Sequence, residues 1–414
     1  MTGPGHEHAT AVHSDGARER SAAEASAAVA TARRRARRAW RNQLLVVAVL
    51  TLLLGAGVWV VWLHSEIRAV RVHTTAVTPA PLPTGTVPAT LTRAWRTDDR
   101  AAIGEPVWQD VVVTYAARTV SGRDARTGAV RWSYTRTDRR ICDVAAEDGA
   151  VVAIYAHDGL CDEVTGLDAG SGERIWVRTL LSSGTPSDLR VSARSANIML
   201  VTPRSIELIE PTGGLDWWYD DQPAACRTRT AVLGVSGVLM ANGCGKGNTL
   251  SLRALGGAKQ RAWTVPLNGR APLSADALTS VLGPDGRSVE VVSKTSGRTT
   301  STIKVTRAVE PPIIPAAMDI AGRTPIEVVA VKGGSLGIVK DAVPALLWQR
   351  AGALPTVAGQ ALLAAADTGV VLLDTLQGQP LTLYRAGGLS ADDVVHPLGR
   401  GMLGSGTGGT AAYR

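Results

Sequence analysis

The sequence has no phenylalanine, and aromatic residues of all kinds make up only 4% of it. Cysteine is limited to four residues. No two are adjacent and none stands as Cys-x-x-Cys, so the usual structural zinc pattern is missing. Lysine is scarce beside arginine, and with the missing phenylalanine this reads as the imprint of a GC-rich genome, as in actinobacteria, rather than as a mechanism. Basic residues are in excess, with a formal net charge of +8. About half of that excess lies in residues 1–42, which hold eight Arg against four acids. The remainder is spread thinly, so no basic groove and no nucleic-acid partner is indicated.

What is present is apolar and rich in turns. Hydrophobic residues reach 45% and glycines number 44, ordinary for packed β structure and too apolar for a disordered chain. Residues 1–42 read as a disordered basic tail. His6, His8 and His13 lie there without a fixed scaffold for a metal, and Arg33, Arg34, Arg35, Arg37 and Arg38 stand just before an apolar run. Residues 43–63 carry no charge, and about 21 residues at ~1.5 Å each give a helix of about 31 Å, enough to span a bilayer. Trp40 marks one interface, and Trp59 and Trp62 the other. The arginines keep the N-terminus cytoplasmic and place everything after the span outside. A cleaved signal peptide is the rival reading, but Trp62-Leu63-His64 offers no small-x-small site. No cysteine follows the span to accept a lipid. Residues 64–89, with Pro79, Pro81, Pro83 and Pro88, read as a stiff extracytoplasmic spacer.

Residues 90–414 hold a repeat. Asp124, Gly128 and Trp132 return as Asp168, Gly172 and Trp176, and again as Glu210, Gly214 and Trp218. The period of about 43 residues belongs to propeller or solenoid arrays. Each copy reads as a hairpin in which Gly takes φ > 0 in the turn and the Trp strand packs on a neighbouring unit. Trp95, Trp263 and Trp348 occupy the same place. Ser301 follows a Lys294-Thr295-Ser296-Gly297 turn, and Thr382 follows Asp374 and Gly378, so these two stand where Trp is missing. Eight marks result. About three short strands follow Tyr384, and one, Thr90 to Arg96, precedes the first full repeat. The expected fold is therefore an all-β, eight-bladed propeller, with seven as the alternative, whose N-terminal strand completes the last blade.

This repeat resembles the quinoprotein-type (PQQ-like) β-propeller repeat, the family of the outer-membrane assembly lipoprotein BamB and of the quinoprotein alcohol dehydrogenases. The resemblance implies the propeller and, in some members, a quinone with calcium under an adjacent-cysteine disulfide. No residue here matches that site, so no cofactor and no metal is expected. Cys142 and Cys161 have 18 residues between them, and Cys226 and Cys244 have 17. Each pair can close within its own blade, with zinc as the alternative.

Other motifs have plain readings. Gly333-Gly334-Ser335-Leu336-Gly337 fits the nucleophile-elbow pattern but lies between strands, where a hairpin is expected. Gly243-Cys244-Gly245-Lys246 lacks the spacing of a phosphate loop, and Gly399-Arg400-Gly401-Met402-Leu403-Gly404 lacks a βαβ context. Acidic groups at Asp158, Asp162 and Glu163, at Asp220 and Asp221, and at Asp392 and Asp393 read as turn formers, and the repeated acid as a bonder of turn amides. Without a catalytic constellation, the expected role is a protein-interaction scaffold in cell-envelope assembly or maintenance, partnered by the bilayer through residues 43–63 and by other envelope proteins. An extracytoplasmic oxidoreductase or hydrolase, or a signal sensor, is the alternative. Trp108 and Trp217 fall outside the repeat place. Trp217 alternates with Trp218 and is the candidate partner contact.

Overall fold

The computed structural model describes residues 40–60, 62, 66–194, 196–219, 226–245, 247–254, 261–312, 317–320, 325–341, 343–352, 355–358 and 361–414. Most of the basic tail, with its histidines and arginine cluster, lies outside these residues, as do Asp220, Asp221 and Lys246. The chain divides into two compact units at Ala69/Val70. The first contains a 21-residue apolar helix, Trp40–Val60, exposed along its length and long enough to cross a membrane.

The second unit consists of eight sheets, each built on four antiparallel strands. In blade 2 the strands Arg140–Glu147, Ala150–His157, Leu160–Asp168 and Arg174–Gly184 follow one another outward. The second of these is buried at six consecutive positions. Both faces of the sheet are covered, which is why clean polar–apolar alternation is faint in the sequence. Among the described residues, eight apolar clusters form, and each fills one seam between neighbouring blades. The cluster of Trp95, Leu398, Leu403 and Ala412 with Val112 and Ala125 closes blade 8 onto blade 1. Eight blades, not seven, make the ring.

Blade 8 takes Val394–Leu398, Gly401–Gly406 and Gly409–Tyr413 from the C-terminus and its outermost strand, Arg93–Thr97, from the N-terminal side. The closure expected from the sequence is therefore present. Two details differ. The single strand expected from Thr90 to Arg96 is two: Thr90–Leu91 pairs in parallel with the outermost strand of blade 7, and only Arg93–Thr97 joins blade 8. The innermost strand of blade 1 is also split. Arg100–Ala101 and Val107–Trp108 pair with Val111–Ala116, while Ile103–Gly104 between them lies alongside the innermost strand of blade 2.

The larger correction concerns residues 64–89, expected to be a free spacer. Val70–His73 adds a fifth strand to blade 1, with Val70 opposite Arg136 and His73 opposite Ser133. The proline-rich stretch after it lies on the ring. The Thr75 amide donates to Ser171 O at 3.1 Å, the Ala80 amide to Asp110 Oδ1 at 3.0 Å, and Arg400 Nε to Thr84 O at 3.1 Å. Leu82 packs into the seam between blades 8 and 1, and Val87 into that between blades 7 and 8. An extended proline-rich backbone has no internal hydrogen bonds, so its amides and carbonyls are available to blade turns.

In such a meander the turns after the first and third strands lie at one end of each blade, called upper here. The turns after the second and fourth strands lie at the lower end.

Candidate functional site

The repeat residues meet across seams. In every blade, one position of the outermost strand pairs with the third strand beside a bulge: Gly122 with Trp132, Gly166 with Trp176, Leu208 with Trp217, Leu252 with Trp263, Gly337 with Trp348, and Ala412 with Trp95. Val291 with Ser301 and Leu372 with Thr382 complete the eight. From this position the indole N–H donates to a turn carbonyl of the next blade. Trp132 reaches Ala169 O at 2.9 Å, Trp176 reaches Pro211 O at 3.0 Å, Trp263 reaches Lys294 O at 2.9 Å, Trp348 reaches Thr375 O at 2.9 Å, and Trp95 reaches Ala125 O at 3.0 Å. The turn glycine of that next blade lies against the ring. A Cβ at Gly172, where φ is +75°, would stand 2.6 Å from the Trp132 ring. Gly128 meets Trp95, Gly297 meets Trp263 and Gly378 meets Trp348 in the same way. In the third copy this part is taken by Gly213, with φ +93° against Trp176, and not by Gly214, which faces the Glu210 carboxylate. The backbone register of blade 3 corrects the expected assignment: Trp217, four residues after Gly213, stands in the repeat position and Trp218 at the alternating one, while both side chains lie outside the described residues.

The repeated acids hold turns. Asp124 Oδ1 accepts the amides of Arg126 and Thr127 at 3.0 and 2.9 Å, Asp168 accepts that of Ser171 at 2.7 Å, and Asp374 those of Leu376 and Gln377 at 2.8 and 2.6 Å. Burial raises the Asp124 pKa, but the Arg131 guanidinium and the turn amides outweigh it and bring it to about 2. The same arginine forks onto Asp110 at 2.9 and 2.8 Å. Asp110 thus joins the strap to blade 1. Asp162 and Glu163 pair with arginines from the last strand of blade 1 and the connection after it. Arg139 lies 3.1 Å from Asp162, and Arg136, 2% exposed at its side chain, pairs with Glu163 and lies 2.9 Å from Asp138. These are bonds between blades and connections.

The two ends of the ring differ. Residues 75–84 run over upper-end turns of blades 2, 1 and 8 through Ser171, Asp110 and Arg400. At the lower end both disulfides tie strand ends. Cys142–Cys161 joins the first and third strands of blade 2 with Cα atoms 6.2 Å apart, and Cys226–Cys244 joins directly opposed residues of the first two strands of blade 4 at 4.0 Å. Between blades 3 and 5 the lower end carries a cavity of about 570 Å³. Arg190, Arg229, Arg270 and Asp188 line it, with Val201 and Leu267 among its apolar walls. Sequence reading gave no sign of it, because its residues come from the strand ends and connections of three different blades.

The remaining motifs are structural. Ser335 is 1% exposed inside the strand Gly334–Val339, with Gly333 in the preceding turn and Gly337 under the Trp348 ring. Gly399 and Arg400 form the upper turn of blade 8 against Leu82 and Pro83. Trp108 packs in the seam between blades 1 and 2 against Gly149. Among the described residues no group of three or more His, Cys, Asp or Glu is placed to hold a metal ion.

A scan against protein-family models and a search of curated protein sequences both find no match. Solved structures do match. The computationally designed Ika8 protein aligns with TM-score 0.52 and 14% identity, over 80% of this chain and 99% of its own. This chain is an eight-bladed β-propeller. BamB from Moraxella catarrhalis aligns with TM-score 0.49 and 17% identity, over 78% of the propeller-bearing chain and 99% of its own. At these identities the likeness is one of fold alone.

Proposed function

We propose that this protein is a membrane-tethered, extracytoplasmic propeller that serves as an interaction scaffold in the cell envelope, and that partners dock on its lower end. The carrying observation is the asymmetry of the ring. Upper turns of three adjacent blades are occupied by the chain's own strap, whereas the lower end is stiffened by two disulfides and carries the cavity. A rigid ring presenting variable connections is suited to recognition. The resemblance of the repeat to a family that contains an envelope-assembly lipoprotein supports the same reading.

Orientation follows from chemistry. Arginines immediately before the apolar helix favour a cytoplasmic N-terminus, and two disulfides favour an oxidising compartment for the propeller. Only nine residues, 61–69, separate the helix from the first strand, so partners are sought at the membrane surface. Trp218, which alternates with the repeat position on the outermost strand of blade 3, is the proposed aromatic contact.

In-cell photo-crosslinking tests the proposal. A crosslinking amino acid at Arg204, in a lower turn of blade 3, is expected to capture one stoichiometric envelope protein, and one at Arg126, in an upper turn of blade 1, is not. Trp218→Ala is expected to weaken the capture. No partner, or capture only from Arg126, would refute lower-end docking.

A further inference from the structure

We infer that the lower-end cavity of blades 3 to 5 binds an anion carried on a short aliphatic body, a carboxylate or a phosphate monoester. This goes beyond the scaffold reading and does not rest on it.

The volume, about 570 Å³, suits a small molecule. Three guanidiniums and one carboxylate line it among the described residues. The carboxylate, Asp188, accepts the Thr185 hydroxyl at 2.7 Å. Arg190 is held by the backbone carbonyls of Ser187 and Leu189, and Arg270 by those of Pro266 and Leu267. Neutral carbonyls fix Arg190 without cancelling its charge, whereas Arg270 is also ion-paired with Glu290 at 3.6 Å. Arginine presents a planar donor fork matched to carboxylate and phosphate oxygens.

Arg229 is placed by three separate features. It is the extra residue of a bulge between Thr228 and Thr230 in the innermost strand of blade 4, a device that re-aims a side chain. Its guanidinium crosses Gly243 on the neighbouring strand, where a Cβ would stand 2.5 Å from Nε. The Cys226–Cys244 disulfide ties both strands next to this crossing. No hydrogen bond or ion pair engages Arg229 among the described residues. Val191, Met199, Val201 and Leu267 supply the apolar wall, and no aromatic ring lines it among the described residues. The body of the ligand is therefore aliphatic rather than a stacked ring.

The test is titration calorimetry on the full-length protein in neutral maltoside micelles, with empty micelles subtracted. Hexanoate, monohexyl phosphate, inorganic phosphate and 1-hexanol are the probes. At least one hexyl acid is expected to bind, with the alcohol weaker by about tenfold or more. Hexanoate alone would identify a carboxylate ligand and monohexyl phosphate alone a phosphate. Arg229→Gln is expected to weaken the acid about tenfold, or ~1.4 kcal/mol, without moving Tm. Gly243→Ala, which displaces the Arg229 side chain, is expected to weaken it as well. Equal binding of alcohol and acid, or acid affinity unchanged by Arg229→Gln, would overturn the site. Inorganic phosphate binding as tightly as the hexyl acids would overturn the aliphatic body.

Discussion

Substituting Gly172 by Ala separates the inter-blade contact from ordinary turn strain. Gly172 has φ +75°, and its new Cβ would stand 2.6 Å from the Trp132 ring of the preceding blade. Gly159, in the same blade, has φ +82° with nothing within 4 Å of a built Cβ. Forcing alanine into the left-handed region costs about 1–2 kcal/mol at either position. Overpacking against a fully buried ring adds about 1–3 kcal/mol at Gly172 alone. Gly159→Ala should therefore cost about 1–2 kcal/mol and Gly172→Ala about 2–5 kcal/mol. In a Trp132→Ala background the ring is gone, and the two glycine substitutions should become equal. Urea denaturation of the full-length protein in neutral detergent, followed by circular dichroism, measures all the terms of the cycle. A Gly172→Ala cost no larger than that of Gly159→Ala, or one unchanged when Trp132 is removed, would refute the docking of the ring on this turn.

Three further outcomes are expected. Replacing either cysteine pair by alanine should cost about 3 kcal/mol by the chain-entropy estimate for loops of 18 and 19 residues, read as a lowered urea midpoint. Glu163→Gln leaves the buried Arg136 with one carboxylate fewer and should cost about 3 kcal/mol at neutral pH, whereas exposed Asp158→Asn should cost almost nothing in the same assay. Asp124, whose folded pKa of about 2 lies below its ordinary value of 3.8, contributes stability above pH 4 that is lost as pH falls through 2. The difference, about 2 kcal/mol, should be missing from the pH profile of Asp124→Asn.

The blade count was legible because each repeat mark is one half of a contact. Where the receiving turn is present, the tryptophan is present one blade earlier: Trp263 before Gly297, Trp348 before Gly378. Where the receiving turn is missing, so is the tryptophan. Blade 6 connects its third and fourth strands through residues 340–344, which contain no glycine, and blade 5 carries Ser301. Gln349 then bridges that seam, with Nε2 donating to Arg307 O at 3.2 Å and Oε1 accepting the Arg307 amide at 3.0 Å. Blade 8 has no such turn because its third and fourth strands come from opposite chain ends, and blade 7 carries Thr382. The strap was not legible. Proline spacing is the same in a free spacer as in a docked one, and its anchoring atoms are mainly backbone groups. The cavity was hidden for a related reason. Arg190, Arg229 and Arg270 recur near the repeat period, at or near the start of three successive innermost strands, but carry no shared motif, and the bulge that re-aims Arg229 between Thr228 and Thr230 leaves no mark in the sequence.

Closure of blade 8 also sets the order of events during synthesis. The outermost strand, Arg93–Thr97, leaves the ribosome early, but its partner, Gly409–Tyr413, lies at the far end of the chain. Synthesis at ~5–20 residues per second leaves this edge unpaired for roughly 15 to 60 s. During that interval the Trp95 indole has no third strand of its own blade to rest on. Completion of the strand Gly409–Tyr413 is thus the event that commits the ring, and a chain lacking that strand would keep a lasting open edge.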